Sequence, residues 1–144
     1  MRRKPRKTNL PKTKTPIRTL IVEDSPTASR AVANLLELFP AVQLVGVAGN
    51  GNEGWQFTAK YQPDLVLMDM ELPGLDGLKL TELLHKQFPA MRLIVTSSHE
   101  GGDWQTVVAA HGGDAFVSKS RLPSELAGIL AGLFPETTGE EPCQ

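Results

Sequence analysis

The sequence predicts an α/β fold, a doubly wound parallel sheet of five strands with helices on both faces. Two observations lead to this prediction. Five short runs of aliphatic and β-branched residues, typical of buried parallel strands, alternate with segments whose apolar residues recur at helical spacing. Residues that favour turns separate these runs, and 144 residues are enough for one domain with a single core. The expected strand order, 2-1-3-4-5, is taken from known sheets of this class and not from the residues themselves.

In the first half of the chain, Pro26 suits the first turn of a helix, and the apolar residues that follow it keep helical spacing. Trp55 and Ala59 are predicted to face the core from a second helix. The predicted elements are a strand over 18–23, a helix from 26 to about Phe39, a strand over 42–48, a helix over 52–61 and a strand over 65–69.

In the second half, a Pro-Gly pair and an Asp-Gly pair predict a loop over 71–77. The predicted elements that follow are a helix to about Phe88, a strand over 92–97, a helix over 103–111, a strand over 115–118 and a helix over 123–134. Gly128 and Gly132 weaken the last helix, and they are compatible with close packing against a neighbour.

The charge distribution divides the chain into a basic arm over 1–16, a folded body over 17–134 and a tail over 135–144. Residues 1–18 hold eight of the fifteen Lys and Arg residues and no acid, which leaves seven bases against sixteen acids in the rest. Arm and tail are predicted to be disordered because they have few apolar residues. For the arm, binding to nucleic acid or to an anionic surface is the alternative to a solvated segment.

Two negative features bound the function classes. No apolar stretch is long enough for a membrane span, so none is expected. The single cysteine, Cys143, rules out a disulfide framework within one chain and is typical of a reducing compartment, which predicts a cytoplasmic protein.

Polar side chains follow four of the five predicted strands. They are Glu23-Asp24, Asp69, Thr96-Ser97 and Ser118-Lys119. Because the carboxyl ends of parallel strands meet at one edge of the sheet, three carboxylates, a hydroxyl and an ammonium are expected to lie together there. That group suits a divalent metal ion and a phosphoryl group.

These strand ends resemble the receiver domain of bacterial two-component response regulators, a flavodoxin-like fold. The motifs that carry the resemblance are Glu23-Asp24, Asp69, Leu72-Pro73-Gly74-Leu75-Asp76-Gly77, Thr96-Ser97 and Phe116-Val117-Ser118-Lys119. The resemblance covers roughly 17–134. It implies transfer of a phosphoryl group to Asp69 from a sensor histidine kinase or a histidine phosphotransfer protein, with Mg²⁺ (or Mn²⁺) as cofactor and a downstream effector protein as partner.

The resemblance also implies a role for each matching residue. The metal ligands would be Asp24, Asp69 and the backbone carbonyl of Glu71, with Glu23 acting through water. Ser97 would be the switch hydroxyl, with Thr96 as the alternative, and Lys119 would bind the phosphoryl group. Phe116 would be the aromatic residue whose rotamer follows the switch, while Glu71 and His99 would tune dephosphorylation. Signalling would then proceed through the face formed by the fourth helix and the fifth strand.

One departure and several alternatives remain. Ser120 stands where the family usually has a cis-linked proline, so no cis bond is expected there.

The residues after Phe134 are too few for an output domain, which predicts a non-enzymatic, stand-alone receiver. A phosphatase or phosphotransferase using Asp69-Met70-Glu71 is one alternative, although such enzymes carry their motif after the first strand. A receiver that signals by binding alone is the other.

Overall fold

The protein forms a single five-stranded parallel sheet in the order β2-β1-β3-β4-β5, as predicted. The computed structural model describes residues 15–74, 76–100 and 102–138. The strands are β1 (Ile17–Val22), β2 (Val42–Ala48), β3 (Leu65–Asp69), β4 (Arg92–Ser97) and β5 (Ala115–Ser118). All four pairings are parallel, and β1 pairs with both β2 and β3, so the strand order reverses at β1.

Helices connect the strands. They are α1 (Pro26–Leu36), α2 (Gly51–Tyr61), α3 (Gly77–Gln87), α4 (Trp104–Ala110), α5 (Leu122–Leu133) and the short α6 (Pro135–Thr138). In the part of the chain that the structure describes, no helix is long and apolar enough to cross a membrane.

Two hydrophobic clusters cover the two faces of the sheet. One face packs against α2, α3 and α4 through residues that include Val22, Met68, Leu84 and Val108. The other packs against α1 and α5 through residues that include Leu36, Leu67 and Leu126. Because neighbouring residues of a strand point to opposite faces, the central strand β3 contributes to both clusters, and all five of its residues are buried.

Helix α2 packs against the sheet through small residues. Gly51, Gly54 and Thr58 are its buried positions, and a Cβ on Gly54 would lie 3.0 Å from Cγ1 of Val22. The prediction that Ala59 faces the core was wrong, since Ala59 is exposed. Trp55, the other residue predicted to face the core, is partly buried and packs against the hydrophobic cluster. Glycine and threonine carry little apolar signal, so hydrophobic spacing could not identify the fully buried positions of this helix.

The ends of the elements differ from the predictions by a few residues. Helix α1 ends at Leu36 and not at Phe39, because Phe39 precedes Pro40, whose ring disfavours helical backbone at the residue before it. Residues 135–138, predicted as the start of a disordered tail, form α6. The basic arm, apart from residues 15 and 16, and residues 139–144 lie outside the described residues.

The two glycines of α5 do not allow a close approach, contrary to one reading of the sequence. A Cβ on Gly128 or on Gly132 would meet no atom within 4 Å. Both positions are exposed.

Candidate functional site

The carboxyl ends of β1 and β3 bring three acidic residues together. Val22 is paired with Met68 in the parallel register, so the next residues, Glu23 and Asp69, lie side by side. Carboxylate oxygens of Glu23, Asp24 and Asp69 all lie within 4.8 Å of one another. Glu23 and Asp69 are only 5% and 4% exposed, whereas Asp24 is open to solvent.

Lys119 supplies the positive charge of the site. Its Nζ lies 2.8 Å from Oε1 of Glu23 and 3.2 Å from Oδ2 of Asp69. The backbone fixes the position of this lysine, since Ser118 pairs with Ser97 across β4 and β5 and the Lys119 N–H donates to the Ser97 carbonyl at 2.8 Å. One ammonium therefore neutralises part of the charge of two buried carboxylates.

Burial and charge set the protonation behaviour of this group. Burial raises the pKa of Glu23 above its ordinary value and the charge of Asp69 raises it further, although hydrogen bonds from Lys119 and from the Ser25 N–H oppose both. Burial alone would lower the pKa of Lys119, but its hydrogen bond to Glu23 and the charge of Asp69 raise it. The lysine therefore stays charged, while the buried Glu23 lacks enough positive charge to offset its burial.

The loops after the strands hold the carboxylates in place. The Ser25 N–H donates to Oε2 of Glu23 at 3.0 Å, and the Ser25 side chain caps α1. The Glu71 N–H donates to Oδ1 of Asp69 at 3.0 Å. The backbone donor on one oxygen and Lys119 on the other together fix the orientation of the Asp69 carboxylate.

The donor set fits a hard divalent cation. Three carboxylates converge from two adjacent loops, and oxygen ligands of this kind are those that Mg²⁺ prefers. The raised pKa of Glu23 is a second indication, because a buried carboxylate beside another carboxylate is short of positive charge. The roles of Asp24, Asp69 and Glu23 as ligands, and that of the Glu71 carbonyl, remain predictions.

The two candidate switch hydroxyls have different partners. Thr96 Oγ1 donates to the backbone carbonyl of Met68 at 3.4 Å, whereas Ser97 Oγ donates to Oε2 of Glu71 at 3.2 Å. Ser97 is 1% exposed and stands one residue beyond the pairing of Asp69 with Thr96. The Thr96 hydroxyl bonds within the sheet to the strand of Asp69, whereas the Ser97 hydroxyl bonds to side chains of the loops beyond the sheet edge, where the predicted switch would act.

Phe116 is half-buried on β5 and packs against the hydrophobic cluster that faces α4. It also lines a cavity of about 220 Å³ together with His99, Trp104 and Arg121. A cavity beside a half-buried ring leaves room for a second rotamer, as the predicted switch role requires.

A network of side chains joins the loop after β3 to the loop after β4. The Glu71 carboxylate accepts hydrogen bonds from Ser97 at 3.2 Å and from Ser98 at 3.0 Å, and it also pairs with Nδ1 of His99. Partial burial alone would raise the pKa of Glu71, but the hydrogen bond from Ser98, the nearby His99 and the bond from Ser97 lower it. The sequence predicted roles for Glu71 and His99 but not their contact with each other, and it gave no signal for Ser98.

Ser120 has a partner that the sequence did not predict. Its hydroxyl donates to Oε2 of Glu100 at 2.8 Å and thereby links the loop after β5 to the loop after β4. No peptide bond of the described residues is cis, in line with the absence of proline at this position.

A family model of the response regulator receiver domain matches residues 19–131 of the chain. The chain belongs to this family. The chain therefore contains the receiver domain of a two-component response regulator. The order of its strands is the predicted one.

Curated relatives include longer proteins. The chain is 41% identical over 85 residues to a protein-glutamate methylesterase/protein-glutamine glutaminase of Myxococcus xanthus, a match of 59% of this chain and 24% of that protein. It is 31% identical over 119 residues to the nitrate/nitrite response regulator protein NarL of Escherichia coli K12, a match of 80% of this chain and 53% of NarL. The chain therefore spans about a quarter and about half of the length of these relatives.

Solved structures share the fold. A two-component response regulator of the LuxR family from Aurantimonas superposes with a TM-score of 0.75 at 27% identity, covering 85% of this chain and 96% of that one. CheY from Borrelia burgdorferi, solved in a complex with CheX, BeF₃⁻ and Mg²⁺, gives a TM-score of 0.76 at 18% identity, covering 83% and 90% of the two chains. At that identity the second likeness shows the fold alone.

Proposed function

We propose that this receiver accepts a phosphoryl group on Asp69 from a histidine kinase or a histidine phosphotransfer protein. One observation carries the proposal. Asp69 lies at the carboxyl edge of the sheet, with Lys119 at 3.2 Å and with oxygens of Glu23 and Asp24 within 4.8 Å. A carboxylate flanked by an ammonium and by the ligands for a divalent cation is equipped to act as a nucleophile toward phosphorus.

The transfer exchanges one bond for another. A carboxylate oxygen of Asp69 forms a bond to phosphorus, and the P–N bond to the donor histidine breaks, leaving its electron pair on the imidazole nitrogen. Lys119 neutralises charge on the acyl phosphate, while the Glu71 N–H keeps the Asp69 carboxylate oriented. A bound Mg²⁺ would supply the remaining positive charge for the phosphoryl oxygens, and Mn²⁺ is expected to replace it.

The signal then depends on the loop after β4. In this proposal the Ser97 hydroxyl donates a hydrogen bond to the phosphoryl group, and Phe116 turns into the space that the moving loop vacates. The face of α4 and β5 changes shape and presents an altered surface to a downstream effector. Contact of the basic arm with nucleic acid or an anionic surface remains a separate prediction that rests on charge alone.

Intact-mass measurement tests the phosphoacceptor. Incubation with acetyl phosphate and Mg²⁺ is expected to add one phosphoryl group to the wild type and none to Asp69→Asn, and omission of the metal should suppress the reaction. Asp64→Asn is the matched control, because Asp64 lies just before the same strand at the opposite edge of the sheet, where it accepts a hydrogen bond from the Arg18 N–H. Equal labelling of the wild type and Asp69→Asn would refute the assignment.

A further inference from the structure

The Glu71 carboxylate contacts three consecutive residues, the last residue of β4 and the first two of the loop that follows it. We call this set, Glu71 with Ser97, Ser98 and His99, the Glu71 network. One carboxylate oxygen accepts from Ser98 at 3.0 Å, and the other accepts from Ser97 at 3.2 Å and pairs with His99. A single side chain of the loop after β3 thus holds the start of the neighbouring loop.

The hydroxyl of Ser97 is fully engaged in this arrangement. It donates to Glu71, accepts from the His99 N–H at 3.0 Å and lies 3.3 Å from Nδ1 of His99. A serine hydroxyl has one proton to donate. While that proton is shared with Glu71, it is not available to a phosphoryl group on Asp69.

We propose that the Glu71 side chain is a positioning residue that holds the switch hydroxyl in the resting conformation. The phosphoryl group on Asp69 must then displace Glu71 as the hydrogen-bond acceptor of Ser97. This inference rests on the proposed function and goes beyond it, because it concerns the balance between the two conformations and not the transfer itself. The competitor of the phosphoryl group is a carboxylate, which makes the resting hydrogen bond a charge-assisted one.

Solvent exposure indicates that Glu71, and not Ser97, moves when their hydrogen bond breaks. The Glu71 side chain is 35% exposed, whereas Ser97 is 1% exposed. A phosphoryl group on Asp69 adds negative charge close to Glu71, whose own N–H is bonded to the Asp69 carboxylate. Glu71 has solvent to move into, and Ser97 can exchange one oxyanion partner for another without entering water.

The far end of the same loop makes a separate hydrogen bond, which provides a control. Glu100 accepts a hydrogen bond from Ser120 at 2.8 Å. This contact involves the loop that follows Ser97 but not Ser97 itself. Its loss should therefore leave the hydrogen bond from Ser97 to Glu71 intact.

Amide NMR of the full chain tests the proposal, with Mg²⁺ and with or without saturating BeF₃⁻ as the phosphoryl mimic. In the absence of BeF₃⁻, Glu71→Ala is expected to move the amide signals of Ser97 and Phe116 toward their positions in BeF₃⁻-loaded wild type. The expected rise in the ratio of active to resting conformation is about fivefold, which is below the roughly tenfold or more of a hydrogen bond to a buried charged group because this one is partly exposed.

Two further variants sharpen the result. Glu71→Gln keeps an acceptor without the charge and should give a smaller shift in the same direction. Glu100→Ala removes the acceptor of the Ser120 hydroxyl and should leave the resting signals of Ser97 and Phe116 at their wild-type positions, and the signals of both residues should coincide in all BeF₃⁻-loaded spectra.

The outcomes separate the two proposals. Resting signals of both Glu71 variants at the wild-type positions would overturn the role of Glu71 while leaving the phosphoacceptor intact. An equal shift in Glu100→Ala would also overturn it, because general loosening of the loop would then explain the change. A wild type that takes up no BeF₃⁻ would instead refute the proposed function, and this inference with it. If Glu71→Ala does not fold, Glu71→Gln and Ser98→Ala decide the question, since each weakens the network and should shift the signals in the same direction.

Discussion

Removal of the Lys119 ammonium should destabilise the protein in the absence of metal. Its ammonium lies 2.8 Å from Glu23 and 3.2 Å from Asp69, two carboxylates that are about 5% exposed. Lys119→Met keeps most of the length and apolar stem of the side chain but removes the charge. Two adjacent buried carboxylates then face each other without compensation.

The size of the effect follows from burial. Removing one partner of a fully buried ion pair destabilises a protein by about 3–5 kcal/mol, mostly because a buried charge is left unpaired. The Lys119 side chain is 31% exposed, so solvent screens part of the interaction. We therefore expect the free energy of unfolding to fall by about 2–3 kcal/mol at pH 7 without divalent cations.

Urea denaturation at pH 7, with and without Mg²⁺, measures this change. Mg²⁺ should restore part of the loss, because a cation that binds only the folded protein stabilises it. Mild acid should restore part as well, since the buried Glu23, whose pKa is already raised, is neutralised by protonation. Lys79→Met is the control, because Lys79 is 59% exposed and pairs with Glu82 on the surface of α3; it should change stability by no more than about 0.5 kcal/mol. A Lys119→Met protein as stable as the control, or one whose loss responds to neither Mg²⁺ nor acid, would refute this reasoning.

Two further predictions concern the loop after β3. Gly77→Ala should lower the free energy of unfolding by about 1–3 kcal/mol and slow phosphorylation, because a Cβ there would lie 2.4 Å from the Met70 carbonyl oxygen. Gly128→Ala is the control: its Cβ meets no atom within 4 Å, and it should stabilise the protein by about 0.5–1 kcal/mol. A higher melting temperature for Gly77→Ala than for Gly128→Ala would contradict the structure. The lowered pKa of Glu71 means that its ionised form stabilises the folded state above the ordinary value of 4.5 and that this contribution is lost as the pH falls through the folded-state pKa. The wild type should therefore exceed Glu71→Gln in stability by less than about 1 kcal/mol above pH 4.5 and lose this advantage below it, and an advantage that persists in acid would argue against the assignment.

The sheet and the centre of the site could be predicted because both depend on strand ends. Apolar runs give the strands directly, and parallel strands must place their following residues at one edge. The nearness of Glu23 and Asp69, and of Lys119 to both, follows from that rule together with the strand order. Helix ends were predicted less well, because a proline such as Pro40 can stop a helix before the apolar spacing does.

The contacts between loops could not be predicted. The Glu71 network joins residues 26 to 28 positions apart in sequence, and the pair formed by Ser120 and Glu100 spans 20 positions. Such pairs depend on the path of two loops in space, which no local periodicity encodes. The sequence predicted the inward position of Trp55 on α2 but missed Gly51, Gly54 and Thr58, because these small residues give no apolar periodicity.

The burial of β3 has a consequence for the lifetime of a phosphorylated state. Every residue from Leu65 to Asp69 is buried, and the strand is paired on both sides. Amide hydrogens in such a segment should exchange with solvent mainly through unfolding of the whole domain, because buried core strands open locally less than other regions. If Asp69 carries the phosphoryl group that we propose, water would reach the acyl phosphate from the loops above the sheet, and changes in those loops would then adjust the duration of the signal without weakening β3.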